Sequence, residues 1–367
     1  MKILVIGLSD NPGGIESFIK VYFNKLKDRH NFDFMVFTEK CVDYNFYKNH
    51  GSNIYFIKHA QFKEPTLYRK EIKKFFLLHQ NEYDAIWFNC CDLANISVIM
   101  KYAKKFDIQK RIIHAHNSKL MHTGKRFYFY KFLHSFNKIK IKYLATDYWA
   151  CSKLAAEFFY NFTDYQIINN AIEVENYAYN EEIRTQYRKK LNIEDKFVIG
   201  HVGRFHMQKN HLFLIEVFKE IALRKENSVL LLVGQGELEN KIKEKVKSYN
   251  LEDKVIFLGV REDINILLNV MDSFVFPSVF EGLAIALLEA QANGLICFTS
   301  DKVIPKEVNI TGLVNFISLN EEAKMWAEQI ITKSILNTNR YEKYNSIFKS
   351  IYNIDNATLL IEEKFSE

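Results

Sequence analysis

Strand-like apolar runs alternate with helical runs along this chain, and the alternation breaks off once and then restarts. Consecutive parallel strands need a crossover between them, so a strand–helix–strand rhythm argues for parallel sheets covered by helices. The first series opens with strand Lys2–Gly7 and helix Gly14–Lys27, passes through strand Arg111–His114, and ends at strand Gln166–Ile168. A polar, highly charged stretch from Glu173 to Lys196 follows and reads as a domain connection. The second series then runs through strand Phe197–Val202, helix Asn210–Arg224, strand Val229–Val233, helix Glu237–Tyr249, strand Val255–Leu258 and strand Ser273–Phe276. The expected fold class is α/β, with two Rossmann-like doubly wound domains of similar size and a cleft between them. Ligands of such sheets bind beyond the carboxyl ends of the strands. A helical, amphipathic tail from about Asn320 completes the chain.

A length of 367 residues accommodates two ordinary domains, and 48% hydrophobic with 26% charged residues provides both cores and a polar surface. No apolar run reaches the roughly 18 residues needed to span a bilayer, and the apolar start at Met1 reads as a first strand rather than a leader. Five scattered cysteines, Cys41, Cys90, Cys91, Cys151 and Cys297, have no metal-ligand spacing and point to a reducing, cytoplasmic setting. A net charge of +6 is mild but unevenly spread. Between Lys101 and Lys142, Asp107 is the only acidic residue.

The chemistry concentrates where strand Ser273–Phe276 turns into an apolar helix, Ala284 to Ala292, stopped by Asn293-Gly294. Two carboxylates bracket this turn, Glu281 in the loop and Glu289 more than a turn into the helix. Gly282 and its small neighbours leave the backbone N–H groups at the helix start open to an anion. An anion site flanked by two hydroxyl-seeking carboxylates suits a nucleotide-sugar; a buried helix with ordinary polar ends is the bland alternative. As a loop carboxylate, Glu281 is expected to carry little core packing.

Other strand ends add to this. Gly13-Gly14 forms a tight turn after the first strand and opens a helix, but without a GxGxxG fingerprint, so a nicotinamide cofactor gains no support. His114 and His116 alternate at the end of a strand, where they face one side. A metal pair lacks a third ligand there, and a satisfied polar turn or a sugar-orienting role are the other readings. Arg204 and Lys209 leave the first strand of the second series as two cations suited to a pyrophosphate. Gly234, in Gly234-Gln235-Gly236, is a close-approach turn, and Arg261 ends the following strand.

The Glu281 to Glu289 spacing after Pro277-Ser278, together with the Arg204 to Lys209 spacing after Gly203, resembles the retaining glycosyltransferases of the GT-B fold, glycosyltransferase family 4. The resemblance covers nearly the whole chain and is densest between His201 and Gly294. It departs at Ala284, where relatives often carry Gly or Pro. It implies an N-terminal acceptor-side domain over 1–172, a donor domain over 173–343, and a last helix, 344–367, returning to the first domain. It further implies retention of anomeric configuration and a UDP-sugar as the donor type. In the implied site Glu281 holds the sugar hydroxyls, Glu289 the ribose, and Arg204 with Lys209 the diphosphate. Gly282, Leu283 and Ala284 supply the helix-start backbone. Gly13 and Gly14 lie by the donor phosphates, Gly234 and Arg261 border the nucleotide, and His114, with His116 as the second candidate, lines the reacting centre. The chain has no D-x-D triplet, so no metal and no other cofactor is expected.

Lys125, Arg126, Phe127 and Lys131 belong to a segment that interleaves cations with aromatic rings. That composition suits an anionic membrane surface or nucleic acid, and a partly buried helix with basic flanks is the plain alternative. Next to a sugar-transfer site, a lipid-linked or polysaccharide acceptor makes the membrane the preferred partner. The expected setting is the inner face of a bacterial plasma membrane, in capsule, exopolysaccharide or lipopolysaccharide synthesis. The rival readings are a non-catalytic GT-B partner subunit and a nucleotide-sugar epimerase or phosphorylase on the same fold.

Overall fold

The protein's parallel strands assemble into two separate sheets, each wrapped by the helices that connect its strands. The structure is a computed structural model that describes residues 1–122, 124–281, 284–334 and 340–366. Two units result. The first comprises residues 1–170 with the chain from Ala357 onward, and the second runs from Ala171 to Asn356.

In the first unit the strands are β1 (Lys2–Ile6), β2 (Asn31–Val36), β3 (Ile54–Phe56), β4 (Ala85–Cys90), β5 (Lys110–Ala115), β6 (Asp147–Ala150) and β7 (Gln166–Ile167), in the order β3-β2-β1-β4-β5-β6-β7. The helices are α1 (Gly14–Leu26), α2 (Tyr44–Asn49), α3 (Pro65–Leu78), α4 (Ile96–Lys105), α5 (Gly124–Leu144) and α6 (Lys153–Phe159). Central strands such as β4 are buried along their whole length, which is why they read as continuous apolar runs. Trp87, Trp149 and Phe18 meet edge to face in the core, and Phe365 of the chain's last helix packs on both tryptophans at 5.8 and 5.7 Å. Glu362 of the same helix reaches Arg29 and His30.

The second unit opens with a 3-10 turn, Val174–Tyr177, and α7 (Glu181–Lys190). It continues with β8 (Phe197–Val202), α8 (His211–Arg224), β9 (Ser228–Val233), α9 (Glu239–Ser248), β10 (Val255–Gly259), α10 (Ile264–Val270), β11 (Ser273–Phe276), α11 (Ile285–Ala292), β12 (Ile296–Ser300), β13 (Val314–Ile317), α12 (Ala323–Ser334) and α13 (Arg340–Phe348), while α14 (Ile354–Ser366) starts in this unit and from Ala357 belongs to the first. Its sheet has the order β10-β9-β8-β11-β12-β13. Ile199, Leu230, Leu232, Val275 and Phe298 from the strands pack with Phe218, Ile221 and Trp326 from α8 and α12.

Two expectations about organisation change here. The stretch 173–196 is folded structure rather than a polar connection. Arg184 and Arg188 of α7 donate to the carbonyls of Asn269, Val270 and Met271 at the end of α10, and both pair with Asp272. Cations at a helix carboxyl end satisfy its orphan carbonyls and its dipole, so a charged helix docks there without an apolar face. The second difference is where the tail leaves. Ile172 donates its N–H to Tyr352 and accepts from Ile354, tying the chain before Ala357 to the second unit. The division therefore falls at 170/171 and 356/357 rather than at 172/173 and 343/344.

Candidate active site

In the second unit β8 and β11 lie side by side although the chain visits β9 and β10 between them. This is the topological switch point, where loops leave neighbouring strands in opposite directions and open a crevice. The loop after β8 carries Arg204 and Lys209, and the loop after β11 carries Glu281. Val279 N–H donates to the Gln208 carbonyl at 2.8 Å, which ties the loops together. Lys209 Nζ then lies 2.7 Å from Glu281 Oε1, and Gln208 Nε2 donates to Glu281 Oε2 at 3.2 Å. The same ammonium sits 4.6 Å from the ring centre of Phe276. Glu281 is only 5% exposed. It is not the lightly packed loop carboxylate expected: a carboxylate removed from water needs paired charge and donors, and the β8 loop supplies both.

The neighbouring loops are knitted by backbone. Gly203 N–H donates to Val233, Phe205 N–H to Gln235, and Gly234 N–H to Gly259, all between 2.8 and 2.9 Å. Gly234 has φ +131°, and a Cβ there would stand 2.2 Å from the Gly203 carbonyl oxygen. Only glycine allows this approach. Its place in the site is thus to hold the Arg204 loop against the β9 loop. Arg204 itself is exposed and reaches Glu237 at 3.4 Å, the long, solvated kind of pair that yields readily to a stronger anion. Arg261 makes a two-point contact with Asp263 at 2.8 and 2.6 Å, at the carboxyl end of β10.

Gly282 and Leu283 lie outside the described residues. Ala284 is buried and directly precedes α11. Glu289, one turn into that helix, accepts a 2.8 Å hydrogen bond from the Tyr177 hydroxyl. Burial pushes its carboxyl up to about 7, and the Tyr177 hydrogen bond opposes that rise. The helix ends at Gly294, φ +73°, where a Cβ would strike the Arg340 backbone. Tyr177 escaped the sequence reading because it lies in the stretch read as a linker, and no local pattern pairs it with a residue so distant in sequence.

In the first unit the equivalent switch lies between β1 and β4. Asn89, near the end of β4, donates to the Ile6 carbonyl and accepts from His116 Nε2 at 2.9 Å. With the Asn89 amide donating to carbonyls, its oxygen faces the imidazole, so the neutral ring carries its proton on Nε2. Nδ1 remains as an acceptor. Burial holds His116 down to about 3. His114 is different. It is fully buried between Trp87 and Phe18, with the Trp87 indole N–H 3.3 Å from Nδ1, and burial together with His116 keeps it well below the usual histidine range. Of the two, His116 is the part-exposed one, at the strand end. Gly13 and Gly14 are exposed at the start of α1, but Glu16 stands in that first turn, bonded to Ser9 at 2.6 Å. A carboxylate thus already occupies the electropositive helix start.

α5 places Arg126 and Lys131 in solvent and Phe127 half-buried; the Lys125 side chain lies outside what is described. The helix also shows a feature the composition hid. Tyr128, Phe132, Phe136, Ile139 and Tyr143 recur at helical spacing and are each 45–74% exposed. The opposite face is anchored: Leu93 N–H donates to His134, Asn137 donates to the Leu93 carbonyl, and Ile141 is fully buried. Among the described residues no helix is long and apolar enough to cross a membrane, and no group of three or more His, Cys, Asp or Glu is placed to hold a metal ion.

Two doubly wound parallel sheets with paired charges at a strand switch define the GT-B class, and the comparisons agree. Residues 183–349 match the family model of glycosyl transferases group 1. EpsF of Bacillus subtilis (strain 168), a glycosyltransferase by its name, is 29% identical over 90% of this chain and 86% of its own. The UDP-Gal:alpha-D-GlcNAc-diphosphoundecaprenol alpha-1,3-galactosyltransferase of Escherichia coli is 37% identical over 37% of this chain and 36% of its own. Among solved structures, HepE of Anabaena in complex with UDP and glucose superposes with a TM-score of 0.82 at 17% identity, covering 100% of this chain and 99% of its own. WaaG, a glycosyltransferase involved in lipopolysaccharide biosynthesis, gives 0.67 at 16% identity, over 98% and 95%. These similarities support a GT-B glycosyltransferase, with relatives in capsule and polysaccharide synthesis.

Proposed function

We propose that the protein is a retaining, metal-independent glycosyltransferase of family 4. It moves a sugar from a UDP-sugar to a lipid-linked or polysaccharide acceptor in bacterial surface-polysaccharide synthesis. The observation that carries this reading is the Lys209–Glu281 pair at the β8/β11 switch, with exposed Arg204 on the same loop. In this reading Arg204 and Lys209 neutralise the leaving diphosphate, as preorganised cations do where negative charge develops. Glu281, already fixed by two donors, takes the hydroxyls of the donor sugar, and Glu289 takes the ribose. His116, with Nδ1 open as an acceptor, orients a hydroxyl near the reacting carbon, while His114 holds the strand end from the core. The bond to the acceptor forms on the face from which UDP departs, and a UDP oxygen takes the acceptor proton, so no enzyme nucleophile is needed.

The outward stripe of α5 is assigned to an anionic lipid surface, as peripheral attachment at the inner face of the plasma membrane. Rings at the headgroup level with Arg126, Lys131, Lys140 and Lys142 around them match the amphipathic interfacial pattern. Lys140 Nζ stands 3.9 Å from the Phe136 ring centre, so charge and ring present together. Incubation with UDP-hexoses and undecaprenyl-diphosphate-linked acceptors tests the reaction. Release of UDP with an α-linked product from an α-configured donor is expected, and a β-linked product overturns retention. Sedimentation with phosphatidylglycerol vesicles tests attachment. Phe132→Ser/Phe136→Ser/Ile139→Ser is expected to stay in the supernatant, and undiminished sedimentation overturns the assignment.

A further inference from the structure

We infer that Tyr177 is a positioning residue for nucleotide binding: its hydroxyl fixes the Glu289 carboxylate with one oxygen occupied and the other free to accept ligand hydroxyls. The inference rests on the assignment of Glu289 to the ribose.

The geometry is a two-point grip. The Tyr177 hydroxyl donates to Glu289 Oε1 at 2.8 Å, and the Tyr177 carbonyl accepts from Asn293 Nδ2 at 2.9 Å. Glu289 and Asn293 are four apart on α11, so they lie on one face, one turn from each other. Asn293 is fully buried and is itself held. Its side-chain oxygen takes the Arg340 guanidinium, its backbone carbonyl accepts from Arg340 Nε at 3.1 Å, and its amide also faces Asn269. The tyrosine ring therefore spans a rigid interval, and its hydroxyl is delivered to one place. A carboxylate meant to accept from two adjacent hydroxyls gains from this, because a fixed rotamer spares the ordering cost on binding.

The surroundings give the hydroxyl a second effect. Burial favours the protonated carboxyl of Glu289, and the phenol donor is the group that opposes it. Among the described residues no other charged group acts on Glu289, whose carboxyl is moved only by burial and by the Tyr177 hydroxyl. Glu173 acts on Tyr177, Glu175 acts on Tyr344 of α13, and Arg340 is turned to backbone carbonyls and lies near the buried Cys297 of β12. Without the phenol donor, Glu289 protonates more readily and loses an acceptor position.

The test is calorimetric titration of UDP and 2′-deoxy-UDP into wild type, Tyr177→Phe and Glu289→Gln across pH 6 to 8.5. Tyr177→Phe removes one oxygen that touches no ligand. Its UDP Kd is expected to rise about tenfold at pH 7, as for loss of a hydrogen bond to a charged group. The pH at which binding weakens should also move upward, since the carboxyl then protonates at higher pH. Wild-type affinity together with a wild-type pH profile in Tyr177→Phe, while Glu289→Gln is weakened, overturns the positioning role alone. A merely structural tyrosine would lower the melting temperature but leave the pH profile in place, which also overturns it. If Glu289→Gln binds UDP as wild type does, and deoxy-UDP binds wild type as tightly as UDP, the ribose assignment itself fails and the inference falls with it.

Discussion

Replacing Glu289 with Gln should stabilise the ligand-free protein, and the gain should depend on pH. The carboxyl is pushed up to about 7 from an ordinary value of 4.5, chiefly by burial. A carboxyl whose folded pKa is raised makes the folded state less favourable as pH rises, because the folded chain binds a proton that the unfolded chain releases. The cost begins near pH 4.5, grows until about pH 7, and is constant above it. From those two values linkage sets it at about 1 kcal/mol at pH 5 and about 3 kcal/mol at pH 7 and above. Glutamine keeps the size and an acceptor for Tyr177 but carries no charge, so it removes this cost. For a unit of the second one's size, each kcal/mol is worth about 2–4 °C. The melting transition of the second unit should therefore rise by about 6–12 °C at pH 8 and by only about 2–4 °C at pH 5. Differential scanning calorimetry of both proteins at pH 5, 6, 7 and 8 reads this directly. A difference in Tm that does not change with pH would refute the reasoning. So would a Gln variant less stable than wild type at pH 8.

Glu281→Ala should lose stability as well as transfer. Its removal leaves Lys209 largely buried beside Phe276 without its partner, a loss of about 2–4 kcal/mol by urea denaturation; a loss below about 0.5 kcal/mol, the scale of a surface change, would show the pair to be solvated. Gly234→Ala forces a Cβ onto the Gly203 carbonyl at positive φ. It should weaken UDP binding through the Arg204 loop, with wild-type UDP affinity as the contrary result. Arg204 is exposed and pairs with Glu237 at 3.4 Å, so Arg204→Ala removes a solvated contact. It should leave the melting temperature of the ligand-free protein within about 1 °C, as surface substitutions do, while raising the UDP Kd at least tenfold.

What was legible in the sequence was what depends on neighbours along the chain. The strand runs, the glycine turns at their ends and the charges just beyond them are local, so Arg204, Lys209, Gly234, Arg261 and Glu281 could all be placed at strand ends. What escaped depends on packing across the fold. Glu281 looked like a free loop acid because the lysine and glutamine that hold it lie some seventy residues earlier. α7 looked like a linker because it docks by arginines onto helix carbonyls and shows little apolar periodicity. The α5 stripe was hidden because its rings are separated by three or four residues and diluted by lysines; only the buried His134–Asn137–Ile141 side shows which rings face outward. His114 and His116 are equivalent on a strand pattern, and only the Trp87–Trp149 core separates them.

The most direct test of the donor site is calorimetric titration of UDP, GDP and ADP into the wild-type protein and into Arg204→Ala. UDP binding in the micromolar range by wild type, weakened at least tenfold in Arg204→Ala with an unchanged melting temperature, is the predicted result. Binding of none of the three nucleotides, or UDP binding indifferent to Arg204, would contradict a nucleotide-sugar site at the β8/β11 switch.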